Sequence, residues 1–265
     1  MKLSKYFAAL MLIICCAISL STQAQNDTIR FKDKRLIMSA LKPGLKQYLV
    51  YFQNPKNKQS LRFWFWLRNV QPETRNGQKM IAITQHWYGS DSTTYRYMYS
   101  LNKADDFAPV YITQTSKNTT KAYSWSATKV WGADTAANNA QKNFSLDLKN
   151  PSFNWELDIE TFEMLPLAAG KTFVINFYDA GLTPPEYINY KVTGSDVLAT
   201  VDNQKVDCWR LMTKGNNNGT TYTQTFWISK KNHEFLKEED TYNGMYRYKI
   251  KMPGMSQDLV ERFVK

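Results

Sequence analysis

Cysteine is scarce in this 265-residue chain: Cys15 and Cys16 lie in the first apolar stretch, and Cys208 stands alone beyond it. A secreted domain stapled by disulfides carries an even set of cysteines through its body. This chain must instead be held by its core, and it is long enough to build one as a single domain. Histidine is scarcer still, with only His86 and His233. No Gly-x-Ser-x-Gly elbow accompanies them, so no nucleophile-and-base arrangement is assembled in the sequence. No Cys, His and carboxylate residues fall at metal-ligand spacing. No glycine-rich loop precedes a helix to cradle a phosphate. Asp105, Asp106 and Asp179 have no spacing that selects a pair for glycoside hydrolysis. The expectation is a protein without catalytic residues, cofactor or metal.

Long apolar runs are confined to the N-terminus. Lys2 and Lys5, the run from Phe7 to Leu20, and Ser21-Thr22-Gln23-Ala24 have the form of a secretory signal cleaved after Ala24. The expected division is residues 1–24 as signal peptide and 25–265 as one exported β-rich domain, periplasmic or secreted. A bilayer core needs about 20 apolar residues, and no second run follows, so no membrane span is expected once the signal is removed. Isoleucines precede Cys15 and Cys16 where a lipid-attachment box wants a small residue. Cys208, in "KVDCWRLM", is in register with Val206 and Met212 and reads as a buried small hydrophobe.

Lysine and arginine outnumber aspartate and glutamate by 34 to 23, a formal charge of +11 that falls to +9 without Lys2 and Lys5. The lysines are scattered, with no basic helix and no nucleic-acid motif, so nucleic acid is not the expected partner. For an exported chain, an anionic membrane surface, a lipid headgroup or an acidic glycan is the more natural one.

Strand signals run from residue 45 onward. Segments rich in Tyr, Trp, Phe, Val and Thr occupy 45–53, 60–69, 79–88, 93–101, 109–115, 119–126 and 128–131. They resume at 171–178, 187–200, 204–214, 220–229 and 234–251. Turn residues such as Arg75-Asn76-Gly77 and Gly215-Asn216-Asn217-Asn218-Gly219 separate them. Short connections mean antiparallel pairing, hence a meander.

Two helices are expected to interrupt it. "DKRLIMSALKPG" starts at Asp33 and stops at Pro43-Gly44. In "NWELDIETFEMLPL", Asn154 caps, and Trp155, Ile159 and Phe162 form an apolar stripe. Glu156, Glu160 and Glu163 fall on another face, which reads as solvated. Residues 132–143, "GADTAANNAQKN", read as a loop or mobile flap, and Leu259, Val260 and Phe263 as one side of a short terminal helix.

Aromatic residues make up 14% of the chain and crowd its first sheet half. In "SLRFWFWLRNV", residues 60–70, Leu61, Phe63, Phe65 and Leu67 share one strand face, and Arg62, Trp64, Trp66 and Arg68 the other. Both faces call for cover. The tryptophan face suits a covering helix with arginine stems over the rings, or an amphipathic ligand with an anionic head.

The C-terminal half carries a further order of features. "ETFEMLPLAAGKTFVINFYD" is a helix, Leu-Pro-Leu, then a glycine entering a strand. "INYKVTGSDVLATVDNQKVDCWRLMT" is a strand with a central glycine, a turn and an aliphatic strand, and "TYTQTFWISKKNHEFLKEED" a strand with Trp-Ile-Ser, a turn and a charged strand. "FAPVYITQTSKNTTKAYSW" fits the same scheme upstream. Over residues 107 to 250 this resembles domain-of-unknown-function family 3108, exported bacterial proteins similar in turn to the lipoprotein-localisation (LolA-like) superfamily. The resemblance implies a mainly β fold: a curved antiparallel meander forming an incomplete, half-open β-barrel, with one or two helices covering its concave side. It also implies a concave side that receives a lipid or another hydrophobic ligand. In such a half-barrel Arg62, Trp64, Trp66 and Arg68 are the residues expected at the mouth, with Arg96 in support. A glycan-binding module stacking sugars on tryptophans is one alternative. The other is a structural or adaptor protein of the cell envelope whose long C-terminal strands offer an edge to a partner.

Overall fold

The computed structural model describes residues 26–182, 184–217 and 219–254. The signal segment and the terminal helix expected around Leu259, Val260 and Phe263 lie outside them. The first half builds β1 (Asn26–Ile29), β2 (Gly44–Asn54), β3 (Asn57–Arg75), β4 (Gln78–Tyr88) and β5 (Arg96–Lys103). It continues with β6 (Pro109–Ser116), β7 (Thr119–Trp125), β8 (Lys129–Gly132) and β9 (Ser145–Asp147). After β10 (Phe153–Asn154) and the helix α1 (Asp158–Glu163), the chain forms β11 (Thr172–Tyr178), β12 (Glu186–Ala199) and β13 (Lys205–Asn217). It closes with β14 (Thr220–Ser229), β15 (Phe235–Tyr242) and β16 (Met245–Lys251).

All sixteen strands belong to one sheet in the order β1-β11-β12-β13-β14-β15-β16-β2-β3-β4-β5-β6-β7-β8-β9, with β10 also on β11. Two antiparallel meanders, β2–β9 and β11–β16, are joined side by side where β16 pairs with β2. The long C-terminal strands are therefore interior and present no edge, contrary to the adaptor expectation. The stretch 234–251 is two strands rather than one. Asn243 and Gly244 both take positive φ, 49° and 71°, the backbone a two-residue hairpin turn demands.

The sheet curls until its ends meet without hydrogen-bonding to each other. Trp125 of β7 packs edge-on against Tyr178 of β11 at 5.5 Å, and Gly181, beyond β11, lies where a Cβ would fall 2.1 Å from the Tyr123 hydroxyl. Side chains, not a strand ladder, close this side. The mainly β, incomplete barrel is the architecture expected from the sequence.

The concave face holds the main core, which runs from Tyr48, Val50 and Trp66 to Phe173, Tyr190 and Phe226. At its centre sits a single covering element. Asn154 caps it, accepting from the Glu156 N–H at 3.1 Å, a tight turn Trp155–Leu157 follows, then α1. Pro166 forbids continuation. The element is buried all round: Leu157, Ile159, Thr161, Phe162 and Leu165 are each at most 1% exposed. Phe162 meets Phe177, Tyr190 and Phe226 at 4.7–6.0 Å, a burial contributing roughly 1.5–3 kcal/mol.

The other expected helix does not form. "DKRLIMSALKPG" supplies only one-turn coils at Phe31–Asp33 and Met38–Ala40. Lys34 enters the left-handed region, and the Ile37 N–H bonds the Met164 carbonyl at 2.8 Å instead of its own helix. The segment thus pins α1's exit rather than lidding the barrel. Residues 132–143 are a pinned loop, not a flap: the Asn139 side chain bridges Ala122, Ala133 and Gln141 through four hydrogen bonds of 2.7–3.0 Å.

Candidate functional site

Period-two alternation on β3 puts Arg62, Trp64, Trp66 and Arg68 on the concave face, as the sequence requires; Trp66 and Arg68 lie away from any mouth, and Arg62 is exposed towards the rim, paired with Phe52 of the cleft lining. Trp66 and Arg68 are 2% and 1% exposed, beneath α1. The Arg68 guanidinium lies 4.4 Å over the Trp66 ring, Trp66 stacks on Trp87 at 4.2 Å, and Gln85 accepts from the Trp66 indole at 3.3 Å. Arg96, 5.9 Å over Trp87, is ion-paired to Glu156. Trp64 is half-buried, edge-on to Phe52 at 5.2 Å, with Arg62 4.6 Å above its other side. The covering element with arginines over the rings accounts for these residues, and only Arg62 among them is freely exposed. The opposite face is bare only at its start: Leu61 and Phe63 are 60% and 47% exposed, whereas Phe65 is half-buried and Leu67 is buried. The expectation that both faces are covered is corrected accordingly.

The second correction concerns the glutamates of the covering element. Glu156, Glu160 and Glu163 do not face water. Glu160 accepts from Arg68 Nε at 2.8 Å and from its Nη2. Glu163 accepts from Lys46 at 2.6 and 2.8 Å and from the Phe235 N–H at 3.0 Å. Glu156 meets Arg96. The half-barrel floor carries cations on β2, β3 and β5, so the acidic face points inward. Burial raises the Glu163 carboxyl despite Lys46 beside it.

With its centre filled, the concave side stays open towards its ends: a polar pocket of about 500 Å³ lies at the exit of α1, around Lys46, Glu163 and His233, and a second opening lies at the Trp155 end. There a cleft of about 860 Å³ lies between Trp155, Phe52, the loop after β11 (Asp179, Leu182, Pro184) and the ends of β14–β16. Its apolar wall is Phe52, Trp155, Tyr222, Tyr242 and Met245. Its polar floor is made by Asp240 and Arg247, directly opposed in the β15–β16 ladder. Arg247 Nε donates to Asp240 at 2.5 Å and its Nη2 to Glu238 at 2.8 Å. Lys249 is bound to Glu238 at 2.5 Å from the far side.

These charges divide unequally. Burial opposes ionisation of Glu238, but Lys249 and Arg247 together outweigh it and take its carboxyl down to about 2. Burial and the adjacent Glu238 charge push Asp240 up to about 8, so at neutral pH Asp240 holds its proton. Asp179, at the other end of the cleft, is raised by burial and by Glu156 to about 6. The floor therefore combines the Arg247 guanidinium with a carboxyl pair, Asp240 and Glu238, whose shared hydrogen bond engages the Asp240 proton, at the base of an aromatic slot.

None of Arg62, Trp64, Trp66, Arg68 and Arg96 lines this cleft. Phe52 is the nearest link, touching Trp64 from the lining. The signal for the true lining was "EEDTYNGMYRYK", where Glu238, Asp240, Arg247 and Lys249 alternate about an Asn-Gly turn. That pattern turns four charges onto one face of a hairpin, an odd investment for a solvated strand.

These features define a mainly β, barrel-like protein with an internal helical plug and an aromatic-walled cleft at one end. The chain belongs to the protein family of unknown function DUF3108, whose sequence profile matches residues 47–251. Among solved structures it is similar to a β-barrel-like protein of the domain of unknown function DUF1849 from Brucella abortus. The identity is 11% and the TM-score 0.51, with 80% of this chain and 96% of that chain covered. A DUF1329 family protein from Desulfovibrio piger ATCC 29098 matches at 9% identity and TM-score 0.29, covering 87% and 96%. No curated protein matches this chain. Among the described residues no helix is long and apolar enough to cross a membrane.

Proposed function

We propose that this is an exported, non-enzymatic binding protein that holds a lipid or another apolar molecule with a small polar head in the cleft at the Trp155 end of its half-barrel. One observation carries the reading: an aromatic-walled cleft of about 860 Å³ ends on the polar pair Arg247 and Asp240. Ligand sites are commonly of this size, mostly apolar, with a few convergent polar groups. The apolar tail would lie along Trp155, Tyr222 and Met245, and the head would reach the Arg247 guanidinium.

Organic extraction of the purified protein followed by mass spectrometry tests this, together with titration of a fluorescent fatty-acid probe. The expected results are a co-purified amphiphile and saturable probe binding that weakens about tenfold in Trp155→Ala or Tyr222→Ala, the loss of one large buried contact. No extracted molecule and no probe binding would sink the reading.

A saccharide is the second reading, favoured by Asn216, Gln224 and Glu186 beside Trp155 and Tyr222 in the same cleft. Glycan-array binding lost in Trp155→Ala, with no response to the fatty-acid probe, would select it. The exposed tryptophan platform first expected for a glycan at Trp64 and Trp66 has no counterpart in the fold.

A further inference from the structure

Eleven large apolar side chains are exposed among the described residues, and seven of them gather at the end that holds the cleft: Leu61, Phe63, Leu182, Tyr187, Tyr242, Met245 and Tyr246. Register places them together. Tyr246 of β16 faces Gln53 of β2, which faces Leu61 of β3, while Tyr242 faces both Met245 and Tyr222. Leu182, Tyr242, Met245 and Tyr246 also line the cleft, so the apolar rim is continuous with its mouth. We propose that this rim docks on the surface of an anionic lipid bilayer.

Two features favour a bilayer over another occupant. The rim residues lie on the adjoining β2–β3 and β15–β16 hairpins, paired through Tyr246 and Gln53, on β12, and in the loop after β11. Their composition, tyrosines mixed with Leu, Met and Phe, is that of an interfacial belt. Cations flank them: Lys56, Arg62 and Lys214 are exposed around the rim, against Glu186. The chain carries a formal charge of +11, or +9 without Lys2 and Lys5, which attracts an anionic surface over about a Debye length.

Vesicle co-sedimentation tests the rim without any molecule in the cleft, so it can fail or succeed independently of the ligand reading. The expected outcome is binding to vesicles of phosphatidylethanolamine with phosphatidylglycerol, little binding to phosphatidylcholine alone, and weakening by salt. Leu182→Ser/Met245→Ser should weaken partitioning about tenfold or more. So should Leu61→Ser/Phe63→Ser, which leaves the cleft lining untouched. Lys56→Glu/Arg62→Glu should remove the preference for phosphatidylglycerol. Circular dichroism confirms that these exposed positions leave the fold unchanged, and Val201→Ser, remote from the rim, should bind as the parent does. Absence of vesicle binding would overturn the proposal, as would binding indifferent to the rim variants. So would self-association, seen by sedimentation velocity and lost in the same variants, since a second copy would then be the occupant.

Discussion

Asp240 and Glu238 are two residues apart on one strand face, yet the fold treats them oppositely. Glu238 lies between Lys249 and Arg247 and is driven down to about 2, leaving Asp240 as the second negative charge in a buried place and raising it to about 8. The consequence for stability follows from linkage. A carboxyl held up in the folded state favours folding while protonated, so its contribution is lost as pH rises from the ordinary carboxylate range to about 8. Glu238 acts in the other direction, and its contribution is lost only as pH falls towards 2. Thermal unfolding from about pH 5 to about pH 9 should show a falling Tm, and Asp240→Asn should make that fall shallower. Equal slopes in the two proteins would show that Asp240 does not carry the buried proton. Cys208 allows a second check at this scale. It is fully buried, and burial with the neighbouring Asp207 charge pushes its thiol up to about 11. Thiol reagents should leave it unmodified in the native protein and label it at once in denaturant; rapid native labelling would contradict its burial.

At the scale of the element, the plug is the decisive object. Its apolar stripe of Trp155, Ile159 and Phe162 was legible in the sequence as a covering helix. Its acidic face was misread, because periodicity reports which residues share a face and not what that face meets. The glutamates meet Arg96, Arg68 and Lys46 on three different strands, so one orientation of the plug satisfies all of them and a rotated one satisfies none. A buried pair of this kind adds little net stability over an apolar pair, yet breaking it strands a charge. Arg68→Met should therefore cost about 3–5 kcal/mol in urea unfolding, and Arg68→Met/Glu160→Leu should recover most of that loss. A double variant as unstable as the single one would mean that the pair contributes more than the specification of orientation.

For the whole molecule, the join between β16 and β2 connects residues about as far apart in sequence as the sheet contains, and the plug grips both meanders. Glu163 holds Lys46 in one and the Phe235 N–H in the other. The two halves should thus unfold as one unit, with tryptophan fluorescence and far-UV circular dichroism giving coincident transitions. Separate transitions would mean that each meander folds alone. Loop closure on this scale also predicts slow refolding for a chain of this size.

Strand identity, the meander and the turns at Asn76-Gly77 and Gly219 could be read locally, since alternation and positive-φ residues act over a few positions. The Asn243-Gly244 turn carries the same signal, inside a charged and aromatic stretch whose strand pattern runs on through it. The short strands β1, β9 and β10 carry too few residues to show a period. The alternation in "SLRFWFWLRNV" assigned each side chain to its face, because strand geometry alone decides that. Which face meets the plug, which meets water, and where the cleft lies were decided by the curl of the sheet and the β16–β2 pairing. Those are set by contacts between residues some two hundred positions apart, for which a single sequence holds no local signal.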